Sequence, residues 1–211
     1  GATAATWQAP AAGGYATVVV AAPTGVAATD TANIQAALNS IPVASGGGGG
    51  GVVILRQGIY VVNQITIFNE GTKLRGSGPG FTTNRDSSPG SSLQAANPLS
   101  ADMLVILASQ VVVENISFKG FGLAVGFALV SGNLGNTIFR DCAFVDIKAG
   151  NIGIKATTGQ DLKILDCIFQ IHEQTVITVA RTPIAIKVGA AGGGFSQNVD
   201  IIGNHFMMVV E

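Results

Sequence analysis

Two aspartates, Asp141 and Asp166, are the residues of this chain whose type and spacing best suit chemistry. They occupy the same place in two similar segments, TIFRDCAFVDI from Thr137 and LKILDCIFQIH from Leu162. If the segments stack as neighbouring strands of a parallel sheet, the two carboxylates lie about 5 Å apart. That separation suits the acid and nucleophile of a retaining glycosidase. It also suits a pair of calcium ligands, and we expect no other cofactor.

The same column also has a purely structural interpretation as a bend that every repeat makes. Aspartate, asparagine and glycine all tolerate the left-handed backbone of a tight turn. We expect the bend to be the main role, with carboxylate chemistry as the alternative. Four residues stand three before a phenylalanine in this way: Asn115, Asp141, Asp166 and Gly203.

The phenylalanine positions define a repeat that predicts the fold class. Four segments align on them without gaps, at spacings of 26, 25 and 37 residues. A period near 25 with β alternation and one turn residue per copy is typical of a solenoid, in which equivalent residues stack. The longer spacing predicts an insertion within Thr175–Ser196. The aligned residues are Phe118, Phe144, Phe169 and Phe206.

Two cysteines share one column of this repeat, two residues before the phenylalanines. Cys142 and Cys167 are therefore predicted to stack inside the coil as a free pair that packs like small apolar residues. A disulfide stays open as the alternative, because the spacing between coils falls within the allowed Cα range. His172, Glu173 and His205 fall in different columns, which predicts surface or turn residues and not a shared metal site.

The beginning of the chain predicts an arm and a capping helix. Residues 1–29 are rich in Ala, Thr, Gly and Pro and are predicted to form an extended arm. Trp7 would dock this arm onto its own domain or onto a neighbour. Residues 30–211 would form the β domain, beginning with a helix over Asp30–Ile41 that Asp30 caps.

Composition excludes several classes of partner. Charged residues are 11% of the chain, against about 25% in an ordinary soluble domain. With 11 Lys+Arg and 12 Asp+Glu there is no basic excess, so nucleic acid is not an expected partner. No apolar run approaches the ~18 residues of a membrane span. A surface this neutral predicts that another subunit covers part of it.

Several stretches resemble the opening of right-handed parallel β-helix proteins of the pectate lyase-like superfamily. They are DTANIQAALNSI, the glycine run after it, GVVILRQGIYVV and TKLRGSG. Arg56 stands where the superfamily usually has the proline of a PxGxY motif. The resemblance implies an all-β, right-handed parallel β-helix of about 25 residues per coil with one N-terminal capping helix. The superfamily includes polysaccharide lyases, glycoside hydrolases, phage tailspikes and adhesins, so the resemblance leaves activity open.

A shorter resemblance concerns the polar loop Gly78–Ser92. Its sequence GSGPGFTTNRDSS is similar to a region of inulin fructotransferases, which are trimeric β-helices. Arg85 and Asp86 of this loop join Asp141 and Asp166 as catalytic candidates. The chain shows no NTD, DD and GHG set as in polygalacturonases. It also shows no acidic cluster of the kind that holds calcium in pectate lyases.

These observations favour a non-catalytic subunit that assembles with copies of itself, end to end or as a trimer. The last residues, MMVVE, would leave an apolar coil open. A neighbouring subunit would cover it, unless the chain is part of a longer β-helix. We expect an extracellular, cell-surface or virion location with contacts to polysaccharide. The alternatives are a carbohydrate-active enzyme (lyase, hydrolase or fructotransferase) and a glycan-binding adhesin.

Overall fold

Short alternating segments of this sequence become strands that pair only in parallel. The computed structural model describes residues 16–42, 50–79, 90–96, 101–120, 126–130, 135–147, 151–156, 159–173, 184–189 and 196–210. Within these ranges there are one helix and eighteen strands, and each strand pairing is parallel. The predicted mostly-β fold with one helix and parallel sheets is confirmed.

The strands form three sheets. The first sheet contains β1 (Ala16–Val19), β2 (Gly51–Ile54), β5 (Thr72–Arg75), β8 (Val112–Glu114), β11 (Gly135–Arg140), β14 (Gly159–Leu165) and β17 (Ser196–Ile202), in that order. The second sheet contains β3 (Gly58–Val62), β6 (Ser91–Ala95), β9 (Ile116–Lys119), β12 (Ala143–Ile147), β15 (Ile168–Glu173) and β18 (His205–Val210). The third sheet contains β4 (Ile65–Ile67), β7 (Leu104–Ile106), β10 (Gly126–Val130), β13 (Ile152–Ala156) and β16 (Ile184–Val188).

The order of strands along the chain makes a coil. From β2 onward the chain visits the first, second and third sheets in turn and then returns to the first sheet one strand further along. Each turn of the coil therefore adds one strand to each sheet, as the repeat predicts. The repeat lengthens to 37 residues between Phe169 of β15 and Phe206 of β18. This longer stretch includes β16 of the third sheet.

An aromatic column runs through the interior and confirms the predicted register. Phe144 lies directly opposite Phe118 and Phe169 on the neighbouring strands. Its ring stacks on both at a centroid distance of 4.9 Å, with interplanar angles of 3° and 4°. Phe206 continues the column at 5.2 Å from Phe169. Stacking like side chains fills a narrow interior evenly, which explains why phenylalanine repeats at one position.

Helix α1 (Ala27–Asn39) packs at one end of the coil, and its start differs from the prediction. The apolar face predicted for it is buried, with Ile34 and Leu38 against the core. The helix begins three residues before Asp30, and Val26 occupies the N-cap position without a side-chain cap. The prediction that Asp30 caps the helix is therefore wrong. Among the described residues, no helix has both the length and the apolarity to cross a membrane.

Asp30 has a different role, which explains its position inside the first turn. Its carboxylate is fully buried and accepts hydrogen bonds from the backbone N–H groups of Thr24 and Gly25 at 2.8 and 3.1 Å. It also accepts one from the N–H of Val61 in β3 at 3.0 Å. Because these donors lie before the helix and on a strand, Asp30 joins the helix to the coil.

Part of the segment predicted as an arm belongs to the coil. Residues 16–19 form β1, which pairs in register with β2, and residues 27–29 begin the helix. Residues 1–15, with Trp7, lie outside the described residues, so the arm stays a prediction there. The division of the chain at residue 30 into two domains also stays a prediction.

Candidate functional site

A buried glutamate on the first sheet, Glu114, forms ion pairs with three cations. Glu114 lies on the outward side of β8, and its side chain is 1% exposed. Lys73 approaches its carboxylate at 2.9 Å, while Arg75 and Arg140 each approach at 2.5 Å. Arg75 and Arg140 stand directly opposite Glu114 on the two neighbouring strands. The cluster therefore joins three consecutive strands of the first sheet.

The cations determine the charge state of this carboxyl group. Burial by itself raises the pKa of Glu114, but hydrogen bonds from Lys73, Arg140 and Arg75 outweigh it and lower the pKa from 4.5 to about 2. The same contact with Glu114 raises the pKa of Arg140. Glu114 is thus ionised at neutral pH and has no proton to donate, so its chemistry suits an ion network and not a general acid.

Asp141 and Asp166 lie beside this cluster, in the bend that follows the strands of the first sheet. All four residues of the column have positive φ angles: 58° at Asn115, 52° at Asp141, 52° at Asp166 and 69° at Gly203. The predicted left-handed bend is therefore confirmed. Glycine at the last position leaves room for its neighbour, since a Cβ there would stand 2.1 Å from Oδ1 of Asp166.

The catalytic and calcium roles of these aspartates stay predictions. Arg140 Nε is 3.8 Å from Oδ2 of Asp141, so one cation lies close to both Glu114 and the bend. In the part of the chain that is described, no three His, Cys, Asp or Glu side chains form a metal-binding group. Arg85 and Asp86 lie outside the described residues.

The histidines and Glu173 lie at separate positions on the second sheet. His205 is exposed on β18 and stands opposite Ile168 of β15. His172 and Glu173 belong to β15 and stand opposite Val209 and Val210. The two histidines are thus in different columns, as the repeat predicts.

The two cysteines stack inside the coil, as predicted. Cys142 and Cys167 are both buried and both free thiols. The carbonyl of Cys142 accepts a hydrogen bond from the N–H of Ile168, the residue after Cys167, at 2.8 Å. Burial raises the pKa of the Cys142 thiol, so it is protonated and unreactive at neutral pH.

A second polar column borders the first sheet, and the sequence repeat contains a signal for it that our prediction missed. Its members stand eight residues before each phenylalanine of the repeat. At the last two, Asn198 Nδ2 donates to Asp161 Oδ1 at 2.8 Å. Each residue has φ between 55° and 58°, so left-handed backbone also recurs near the start of the first-sheet strands: Gln110, Asn136, Asp161 and Asn198.

Three buried hydroxyl groups make no hydrogen bond within the described structure. Ser92 and Ser117 stand opposite each other on the second sheet, and Thr137 faces the core. A buried hydroxyl that stays without a hydrogen bond costs about 1–3 kcal/mol.

One end of the coil exposes side chains that elsewhere fill the core. Ile201 is 46% exposed and Phe206 is 52% exposed, whereas Ile164 and Phe169, their register partners one strand back, are 0% exposed. Met208, in the same inward register, is 68% exposed. We call this surface, made by Ile201, Phe206 and Met208 on the last strands of two sheets, the open face.

Comparisons with known proteins found likenesses of structure. No protein-family model matches the sequence, and no curated protein matches it. A pectin methylesterase mutant in complex with a hexasaccharide is similar over 74% of this chain, with 13% identity and a TM-score of 0.49. The ORF18 protein of Geobacillus virus E2 is similar over 92% of this chain, with 14% identity and a TM-score of 0.33. The chain spans 56% and 61% of the lengths of these two structures.

Proposed function

We propose that the chain is a right-handed parallel β-helix with a structural role, which associates with copies of itself through the open face. Right-handedness is favoured because parallel strands of one sheet are connected in the right-handed sense in about 98% of cases. We also propose an extracellular, cell-surface or virion location with contacts to polysaccharide. The resemblance to a superfamily that includes tailspikes and adhesins motivates this location.

The observation that carries the proposal is the exposure of core-type residues on the open face. Phe206 stacks on Phe169 at 5.2 Å with one side of its ring, yet 52% of it faces solvent. Large apolar patches exposed to solvent mark interaction sites in soluble proteins. Burying such a ring and its aliphatic neighbours against a partner would contribute about 25 cal/mol per Å² of apolar area.

The strands of the open face also lack the residues that usually prevent an edge strand from pairing with another chain. The sequences of β17 and β18, SQNVDII and HFMMVV, contain no lysine and no proline. Asp200, the single carboxylate of the two strands, lies 3.7 Å from Lys163. An edge without lysine or proline favours pairing with another strand.

The state of the charged cluster favours a structural role over catalysis. Cleavage of a glycan needs a group that can protonate the leaving oxygen. Glu114 is bound by three cations and has a pKa of about 2, so it does not supply that proton near neutral pH. A general acid needs a raised pKa so that it keeps its proton at neutral pH. The pKa of Glu114 is lowered instead.

Light scattering coupled to size-exclusion chromatography tests the proposal between about 1 and 100 µM protein. We expect a mass above the 21.3 kDa of one chain at the higher concentrations. A single species of 21.3 kDa throughout would contradict it. In parallel, incubation with a panel of polysaccharides should release neither reducing ends nor unsaturated products, and release of either would favour an enzyme.

A further inference from the structure

Two lysines of the third sheet stand directly opposite each other. Lys155 of β13 pairs in register with Lys187 of β16. Lys155 points away from the core, because Ile154 and Ala156 on either side of it are fully buried and strand side chains alternate between the two faces. Lys187 is exposed. Neighbouring strands lie about 4.8 Å apart, so two like charges at opposite positions repel each other.

No carboxylate of the described residues neutralises this pair. Neither lysine makes an ion pair with a residue that the structure describes. The five strands of the third sheet contain no Asp and no Glu. The sequence around β13 and β16 is equally one-sided, because residues 148–160 and 174–199 contain no acidic residue. They do contain four of the 11 Lys+Arg of the chain: Lys148, Lys155, Arg181 and Lys187.

In the first sheet, the same two turns of the coil place opposite charges together. Lys163 of β14 stands opposite Asp200 of β17, with 3.7 Å between the ammonium nitrogen and a carboxylate oxygen. Three other cations of that sheet converge on Glu114. Cations of the first sheet thus meet carboxylates of the chain, whereas the two lysines of the third sheet meet each other. An anion from outside the chain would supply the missing opposite charge.

We propose that Lys155 and Lys187 together bind an oxyanion, a sulfate or phosphate group that is either free or carried by a polysaccharide. Each ammonium group has three N–H donors and no acceptor, and the oxygens of one such group can accept from both lysines. The shared anion replaces repulsion between the strands by attraction. The pair shares no residue with the open face, so the inference does not depend on the proposed self-association.

Isothermal titration calorimetry at low ionic strength tests the site, because salt screens exposed charges. The probes are sodium sulfate, sodium phosphate, dextran sulfate and neutral dextran, with sodium chloride of equal ionic strength as the reference. We expect each sulfate or phosphate probe to bind and neutral dextran not to bind. The double variant with Lys155→Gln and Lys187→Gln should weaken binding about 10-fold or more. Lys163→Gln, the matched change in the first sheet, should alter the dissociation constant less than about two-fold.

Reversing one charge gives a second, independent measurement. Lys187→Glu puts a carboxylate opposite Lys155, so it should abolish the binding of sulfate. Compared with Lys187→Gln, it should also raise Tm in buffer without sulfate or phosphate, since opposite charges on neighbouring strands attract. Circular dichroism verifies that the variants are folded. A lower Tm for Lys187→Glu than for Lys187→Gln would overturn the inference, because the position would then not favour a negative charge.

The other outcomes decide between the sources of the anion or refute the site. Binding of inorganic sulfate and phosphate that needs both lysines supports a site for the oxyanion itself. Binding of dextran sulfate alone, with the same dependence, supports a polysaccharide as its carrier; that part rests on the polysaccharide contact of the proposed function. Absence of binding by every charged probe, or equal binding by the double variant, would overturn the inference. Light scattering measures self-association separately, so the two proposals can fail independently.

Discussion

Replacing Glu114 by glutamine tests whether the charged cluster stabilises the coil. The substitution keeps the size and polarity of the side chain but removes its charge. Three cations that now converge on one carboxylate, at 2.9 Å for Lys73 and 2.5 Å for Arg75 and Arg140, would be left facing a neutral amide. They would repel each other across three neighbouring strands, and at least one hydrogen bond would lose its acceptor.

The magnitude follows from the pKa and from the exposure of the cations. A carboxyl pKa lowered from 4.5 to about 2 corresponds to at most ~3.4 kcal/mol at ~1.36 kcal/mol per pH unit. Arg75 and Arg140 are 45% and 47% exposed, so solvent screens much of this interaction. We therefore expect Glu114→Gln to lower the free energy of unfolding by about 1–2 kcal/mol at pH 7. In a chain of this length that lowers Tm by roughly 2–8 °C.

The pH dependence has a definite sign. The folded-state pKa of Glu114 lies below its unfolded value, so its stabilisation is fully present above pH 4.5 and is lost as the pH falls toward about 2. The unmodified protein should lose this contribution between those two values. The Glu114→Gln variant has no such group, so its stability should fall less steeply over the same interval.

Urea denaturation followed by circular dichroism from pH 2 to pH 7 measures both effects. The control is Asp200→Asn, which removes a carboxylate that is 47% exposed and 3.7 Å from Lys163. It should change the free energy of unfolding by less than about 0.5 kcal/mol. The reasoning is refuted if Glu114→Gln is as harmless as this control, or if its pH curve runs parallel to that of the unmodified protein.

Three further predictions concern the core and the bend. Thr137→Val should raise the free energy of unfolding in urea by about 1 kcal/mol. The reason is that a methyl group of the same shape replaces a buried hydroxyl without a hydrogen bond. A loss of stability would show that the hydroxyl is bonded. Phe144→Ala should cost about 3–5 kcal/mol, and Phe206→Ala clearly less because its ring is 52% exposed; equal costs would contradict the described packing. If Asp141 and Asp166 hold calcium, millimolar calcium should raise Tm through preferential binding to the folded state and Asp166→Asn should abolish the rise; an unchanged Tm in the unmodified protein would leave them as bend residues alone.

The sequence predicts those parts of the coil in which one residue type must recur. Phe144 and Phe169 stack because equivalent positions of successive turns lie directly opposite each other in register. Asp141 and Asp166 recur because the backbone has a positive φ there, which few residue types tolerate. Such constraints act on single positions, so they appear directly in an alignment of the repeats.

The strands of the third sheet could not be predicted in the same way. β7 (LVI) and β10 (GFALV) have no residue type that recurs at a bend, and their lengths are 3 and 5 residues. Short apolar runs of this kind read equally well as strand, loop or helix. β6 begins within the segment predicted as a polar loop, because Ser91 and Ser92 are buried although serine resembles a loop residue.

The charged cluster could have been found, because its residues share a column of the repeat. Glu114 and Arg140 both stand four residues before a phenylalanine, and opposite charges at equivalent positions of stacked strands predict a pair. Arg75 and Lys73 carry no such signal, since their coil has no phenylalanine at the aligned position. The hydrogen bonds that join Thr31 and Gln35 of α1 to the coil were also missed, because a contact 31 or 32 residues distant in sequence depends on how the helix lies on the strands.

Stability and association depend on different parts of this coil, which makes them separable by mutation. Glu114 and its cations join β5, β8 and β11 of the first sheet, whereas the open face belongs to β17, two strands beyond β11 in that sheet, and to β18 of the second sheet. Residues this distant without shared partners contribute independently. Glu114→Gln should therefore lower Tm and leave the dissociation constant of the proposed self-association unchanged at pH 7. Met208→Lys should weaken the association. It should leave Tm unchanged when Tm is measured at concentrations where the protein is monomeric. If Glu114→Gln weakened association as strongly as folding, the open face would not be a preformed surface, and the coil would order its last strands only when a partner binds.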